Sequence, residues 1–315
     1  MLDEKSIQFY RILKEYYFLR MSQREIAKLE NLSTATVSRM INRAIEKGYV
    51  SFTLNLPVLT VSDLEQTIKD RYGLETVSVA RVDVDNPELI ARDVSGLTAS
   101  YLNRIIRQGD VVGISWGNTL SKVVEWLKPK QVDGVTVVGL NGSVSKNVSD
   151  TGAENIIKKF SDNYHASGYS IPFPSFVDNE NIVASIKSDS NIKKVFDLID
   201  RTRILIFSVG CIREDSVLVR AGYFEKEDYR ELRRQGYVGD ICSRYFKEDG
   251  SYTDDELYRR VIGIDLDSVR RKEKRVCVAM EAEKAESLRG ALKGGYITSL
   301  FLDELTARKL VELES

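Results

Sequence analysis

Between residues 75 and 302 the sequence alternates short apolar runs with longer segments of helical spacing, and this alternation leaves few folds open. Residues 76–82, 111–115, 135–140, 204–209, 276–280 and 297–302 read as strands. The clearest helix lies between the first two, where Leu89, Ile90, Val94, Leu97, Tyr101, Ile105 and Ile106 recur at helical period. Such alternation predicts an α/β fold, a mostly parallel, doubly wound sheet with helices on both faces. In sheets of this kind ligands lie beyond the carboxyl ends of the strands. The residues that follow each strand therefore matter most.

GISWGNTL (113–120) is the most informative of these segments. A strand ends at Ser115. Gly117 lets the backbone approach a ligand, and Asn118 and Thr119 add donors before a helix expected over 120–127. N–H groups at a helix N-terminus lack intrahelical partners and favour an anion, most naturally phosphate. Other strand ends add polar groups: Asn141, Gly142 and Ser143; Gly210 and Cys211; Gly239 and Asp240; and Glu283 and Lys284 ahead of a helix over 285–292. Lys284 is placed to supply a cation to such an anion.

A different pattern precedes this part. Residues 22–50 read SQREIAKLENLSTATVSRMINRAIEKGYV, with Ser22 and Glu25 at capping-box spacing. Ile26, Ala27 and Leu29 are expected to face inward, Asn31 to adopt a left-handed turn conformation, and Leu32 to plug the turn. Ser33 or Thr34 caps a second helix that runs to about Lys47 and stops at Gly48, with Val37, Ile41 and Ile45 as its buried stripe. Ile7, Tyr10, Ile12, Leu13 and Tyr17 supply an upstream helix to cover that stripe, and residues 49–56 alternate as a short wing strand would.

This is a helix-turn-helix pattern, and its free face is polar. Thr34, Thr36, Ser38, Arg39, Asn42 and Arg43 are short or basic groups suited to base edges and phosphates when the second helix lies in a major groove. Gln23 and Arg24 open the preceding helix, where phosphate contacts are usual. Residues 1–56 are thus expected to form a winged helix-turn-helix for double-stranded DNA. Residues 57–315 form a second domain, beginning with a connecting helix over 57–75 on which Val61, Leu64, Ile68 and Tyr72 share a face.

Charge supports the division. Residues 1–56 hold nine Lys/Arg against six Asp/Glu, while the whole chain has a net charge of −1. A basic head on an acidic body fits a polyanion partner for the head alone. No apolar run is long enough to span a membrane, and the charged N-terminus lacks the apolar core of a secretory signal. A cytoplasmic protein is expected, with Cys211, Cys242 and Cys277 all as reduced thiols in the core. The single histidine, His165 in DNYHASGY, reads as a surface loop residue and excludes a two-histidine metal site. No cofactor or metal is expected.

The motifs SQREIAKLENLSTATVSRMINRAIEKGYV, GDVVGISWGNTL, VDGVTVVGLNGSVS, GDICSRYFKEDG and ALKGGYITSLFLDELTARKLV occur in one order along nearly the whole chain. In this the chain resembles the SorC/DeoR-type sugar-binding transcriptional regulators of bacteria, in their deoxyribonucleoside-regulator-like branch. The resemblance implies an N-terminal winged helix-turn-helix and an effector domain similar in fold to sugar-phosphate isomerases. It also implies a phosphorylated sugar as effector and a homodimer or homotetramer. Carried onto this chain, Ser115, Gly117, Asn118 and Thr119 form the phosphate loop with Lys284 as its basic partner. Asn141, Gly142, Ser143 and Asp240 then face the sugar hydroxyls.

Two departures sharpen the expectation. Relatives in that branch carry a lysine where Asn141 stands; an amide cannot form an imine with an open-chain sugar, so a non-covalent ligand is expected. Where the family usually shows glycines, this chain has Glu281 and Glu283 ahead of Lys284, and carboxylates there oppose an anion unless they point outward. The rival reading is a sugar-phosphate isomerase or deaminase with a fused helix-turn-helix. Asp240 is its nearest candidate base, with no identified acid partner. A third reading is an assembly protein whose head contacts other proteins.

Overall fold

In the first of two units into which the chain divides, Met1–Pro57 and Val58–Ser315, helices Glu4–Tyr17, Gln23–Leu29 and Thr34–Glu46 surround a small core. The computed structural model describes residues 4–52, 60–143, 152–220 and 222–313. Ser22 and Glu25 form the expected reciprocal capping box, Asn31 is left-handed at φ 54°, and Gly48 follows the next helix at φ 70°. Ser33 rather than Thr34 is the cap, its Oγ accepting the Thr36 N–H.

Ile12, Leu13, Ile26, Ala27, Val37, Ile41 and Ala44 make the core, with Leu32 and Tyr17 packed against it. Four residues expected inside are exposed instead: Ile7, Tyr10, Leu29 and Ile45. A helix turns about 100° per residue, so the position in phase with Ile26 and Ala27 is 30, not 29. Glu30 is buried there, its charge balanced by the Arg11 guanidinium, with a further hydrogen bond from the Gln8 amide. A spacing of four drifts by about 40° each step, which carries Ile45 off the stripe begun by Val37 and Ile41 and leaves Ala44 inside. Of the expected wing strand, residues 49–52 form no strand and residues 53–56 lie outside the described residues.

The second unit carries strands β1 (Thr76–Ala80), β2 (Val111–Ile114), β3 (Thr136–Gly139), β4 (Ser167–Tyr169), β5 (Ile204–Phe207), β6 (Gly210–Cys211), β7 (Tyr237–Ile241), β8 (Arg244–Lys247), β9 (Lys274–Ala279) and β10 (Ser299–Asp303). Seven form a parallel sheet in the order β1-β10-β9-β5-β2-β3-β4. Side chains alternate across it. Ile204 and Ile206 join the core on one face, and Leu205 and Phe207 the core on the other. Burial on both faces is why these strands read as unbroken apolar runs.

From β2 the chain moves outward through β3 and β4, whereas β5, β9 and β10 build in the opposite direction. The order reverses between β2 and β5, which are adjacent. A crevice opens at such a reversal.

Three expectations need correction. The segments at Gly210–Cys211 and Gly239 with Asp240 are not loops of the main sheet. They lie in β6 and β7, which with β8 form a separate antiparallel sheet. The connecting helix is Ser62–Tyr72, and its Ile68 is buried in the core of this unit with Val61, Leu64 and Tyr72 against it. The helices expected over 120–127 and 285–292 are Asn118–Glu125 and Ala285–Lys293, the latter preceded by a 3-10 turn, Ala282–Lys284. His165 is exposed as expected, but as the left-handed cap of helix Ala153–Tyr164.

Candidate functional site

Two surfaces carry the polar residues singled out above. On the first unit, Thr34, Arg39, Asn42 and Arg43 are exposed, and Thr36 and Ser38 half-buried, along the helix Thr34–Glu46. The Thr36 hydroxyl is shared with the cap, 2.8 Å from Ser33 Oγ. Arg39 Nε donates to the Ala35 carbonyl at 3.3 Å, which lays the guanidinium along its own helix. Gln23 and Arg24 stand at the start of the preceding helix, Arg24 exposed.

On the second unit a cavity of about 330 Å³ lies at the carboxyl ends of the parallel strands. Ser115, Gly117, Asn118 and Thr119 enter it after β2, Asn141 after β3, Ser208 after β5, and Glu281 and Lys284 after β9. Asp240 and Ser243 reach it from the β7–β8 hairpin. The reversal between β2 and β5 thus gathers residues from distant parts of the chain.

The loop after β2 fits an anion. Gly117 caps helix Asn118–Glu125 at φ 126° with no side-chain cap bond, so the first-turn N–H groups carry no capping side chain. A Cβ on Gly117 would enter open space. Lys284 Nζ donates to Thr119 Oγ1 at 3.1 Å and to Ser208 Oγ at 3.5 Å, bringing its ammonium to the same loop.

The remaining wall suits hydroxyl donors. Asn141 is only 6% exposed. Its Nδ2 is 3.5 Å from Ser175 Oγ and 3.4 Å from Ser243 Oγ, while Oδ1 has no partner among the described residues. A buried acceptor without a donor is costly, and the residue that carries this one lines the cavity. Asp240 Oδ2 accepts the Ser243 N–H at 3.0 Å, and Oδ1 lies against Gly210, where a Cβ would collide with it. Burial raises the Asp240 carboxyl to about 6, opposed by the Ser243 N–H and by the charge of Lys284.

Not every expected residue faces the cavity. Gly142 is wedged against the carbonyls of Phe173 and Pro174, where no Cβ fits, and its own carbonyl accepts from Trp116 Nε1 at 2.6 Å. Ser143 lines a smaller neighbouring cavity of about 50 Å³. Glu283 lies in a groove outside the main cavity, whereas Glu281 is on the wall itself.

The sequence reading missed Trp116, Ser208 and the hairpin tip. Trp116 sits inside GISWGNTL and walls both cavities. Cys242 and Ser243 form the two-residue turn between β7 and β8, left-handed at φ 52° and 68°. Such turns usually take Asn-Gly, so a Cys-Ser pair gives no turn signal.

Comparison with known proteins gives a family model on each unit. Residues 20–51 match the family model "Winged helix-turn-helix DNA-binding" and residues 57–312 the model "Putative sugar-binding domain". The chain is 34% identical over 296 residues to the deoxyribonucleoside regulator of Bacillus subtilis (strain 168), covering 94% of each. The crystal structure of the full-length sorbitol operon regulator SorC from Klebsiella pneumoniae superposes with a TM-score of 0.73 at 25% identity, covering 98% of this chain and all of that one. A domain of a "possible sugar-binding transcriptional regulator" from Arthrobacter aurescens TC1 gives 0.74 at 31% identity, covering 81% and 99%. The resemblance read from the motifs therefore holds, and the chain belongs to the SorC/DeoR-type sugar-binding transcriptional regulators.

Proposed function

We propose that this regulator binds operator DNA as a homodimer or homotetramer in the cytoplasm, under the control of a phosphorylated sugar or sugar alcohol held non-covalently in the cavity of the second unit. The names of its relatives point the same way, to a deoxyribonucleoside and to sorbitol. The observation that carries the reading is the pairing of an uncapped helix start beside Lys284 with the unpartnered, buried Asn141 Oδ1 in one cavity. The first favours an anion and the second a hydroxyl donor.

Ser115, Gly117, Asn118, Thr119 and Lys284 hold the phosphate. Asn141 and Asp240 take the sugar hydroxyls, and Gly142 and Ser143 support Asn141 from behind. Gln23, Arg24, Thr34, Thr36, Ser38, Arg39, Asn42 and Arg43 face the operator. Two half-sites read by a symmetric oligomer would give the affinity that one small head lacks.

We further propose that the chain is not an enzyme. Isomerisation or deamination needs an acid and a base across the sugar carbon; here Asp240 is left to accept hydroxyls, and the relatives carry the names of regulators.

A thermal-shift screen over sugar phosphates, each beside its unphosphorylated parent, tests the proposal. A ligand that binds only the folded chain raises the melting temperature. The proposal expects a shift from at least one phosphorylated member and none from its parent at the same concentration. Sugar phosphates that neither shift melting nor alter operator binding would reject it.

A further inference from the structure

Glu281 stands out on the cavity wall. It has φ 84° and ψ 119°, a conformation that belongs almost wholly to glycine and costs stability in any other residue. The strain has a clear position. Glu281 ends the turn after β9, its carbonyl accepts the Lys284 N–H at 3.0 Å, and its exposed side chain lines the cavity with Gly117, Thr119 and Lys284. Glycine would keep that backbone and the place of Lys284 without strain. What the strained residue adds is a carboxylate, set close to an anion site where simple attraction would ask for none.

Arg213 and Arg220 line the cavity besides Lys284, and an anion site built from N–H groups and such cations accepts any small oxyanion. Selectivity is a difference of affinities and is often made with a repulsive group. We propose that Glu281 is a specificity-determining residue that keeps bare inorganic phosphate out of the cavity and favours ligands whose hydroxyl groups donate to its carboxylate. The repulsion falls on every phosphate. Only a ligand that also carries hydroxyls recovers the loss, by donating to Glu281, to the free Asn141 Oδ1 and to Asp240. This inference rests on the phosphate-binding reading above.

The test is calorimetric titration of the full chain with inorganic phosphate, for the wild type and for Glu281→Gln, Glu281→Ala and Glu281→Gly. All three variants are expected to bind phosphate more tightly, by about three- to tenfold at low salt, with the gain shrinking as salt rises. Melting temperature gives an independent check: Glu281→Gly should melt above Glu281→Ala, because only glycine relieves the backbone. Phosphate affinity that is unchanged or weaker in all three folded variants would overturn the proposal, even if sugar phosphates still bind. If neither phosphate nor any sugar phosphate binds the wild type or the variants, the phosphate-binding reading fails and this inference with it.

Discussion

Glu30 in the first unit and Asp240 in the second are both acids taken out of water, and they are treated in opposite ways. Glu30 is enclosed and answered: Arg11 meets it through Nε and Nη2, and Gln8 adds a bond at 3.1 Å. Those partners, Arg11 above all, hold its carboxyl below the ordinary range. Asp240 receives one backbone N–H and, among the described residues, no direct salt bridge, and burial raises it to about 6. A paired buried acid ties helices together. One left underpaired at a cavity wall keeps acceptor capacity for something that arrives later.

The strongest break of this comparison is Arg11→Leu. It leaves Glu30 without its cation, and the Gln8 amide alone cannot balance the charge. Hydrogen exchange across residues 4–46 of the full chain should show the first unit opening far more often, with partial recovery in Arg11→Leu/Glu30→Gln. Protection equal to wild type would mean that the pair is ornamental.

The two acids also predict opposite pH trends. Because the folded value of Glu30 is depressed, its contribution is present above the unfolded carboxylate range and is lost as pH falls through the folded value. Asp240 is raised, so the fold prefers its neutral form. Stability of the second unit is then greatest below the unfolded value and declines as pH rises toward about 6, beyond which it is flat. Asp240→Asn removes that penalty while its amide oxygen still accepts from Ser243. It should stabilise the second unit by about 1–3 kcal/mol at pH 7.5 and by almost nothing near pH 4. A gain independent of pH would show that the carboxylate is not the cause.

On the proposed operator face the expected effect is of similar size but appears only on DNA. Arg39→Ala should weaken operator binding by about 1–3 kcal/mol if the guanidinium leaves the Ala35 carbonyl to meet a base, with melting unchanged. Unaltered binding in a folded variant would count against this docking. The smallest effect belongs to Leu29→Ala. Its side chain is 59% exposed, so the change should stay within about 0.5 kcal/mol, whereas the rejected inward placement would cost several times more.

How much of this was legible in the sequence depended on the range of the signal. The capping box at Ser22 and Glu25, the left-handed Asn31 and the stop at Gly48 are set by neighbours, and all are found. Six of the seven parallel strands were visible because they are largely buried on both faces; β4, three exposed residues at the sheet edge, was not. Helical phase was misread at Leu29 and Ile45, where hydrophobicity outweighed geometry; Ala44 took the inward place beside Ile45, and beside Leu29 it was Glu30, with a partner 19 residues away. The antiparallel sheet was missed for a different reason. β6 has two residues, β7 carries Gly239 in its middle, and the hairpin turn is Cys-Ser. That sheet brings Asp240 and Ser243 to the cavity, and strand order brings Asn141 beside them; neither is a local property. The anion loop was the legible half of the site because one segment, 115–119, supplies it.

The measurement that bears most directly on the central claim is operator release by a sugar phosphate from wild type and Gly117→Leu, followed by fluorescence anisotropy. The open space beside Gly117 is where a phosphate is expected to sit. A leucine there fills it and cannot hold φ 126° without strain. The account predicts that Gly117→Leu binds operator like wild type and no longer responds to the ligand. It also predicts that borohydride traps no ligand on the wild-type chain, since Asn141 offers no amine. A Gly117→Leu protein that binds operator and still responds with wild-type sensitivity would place the effector elsewhere and contradict the account.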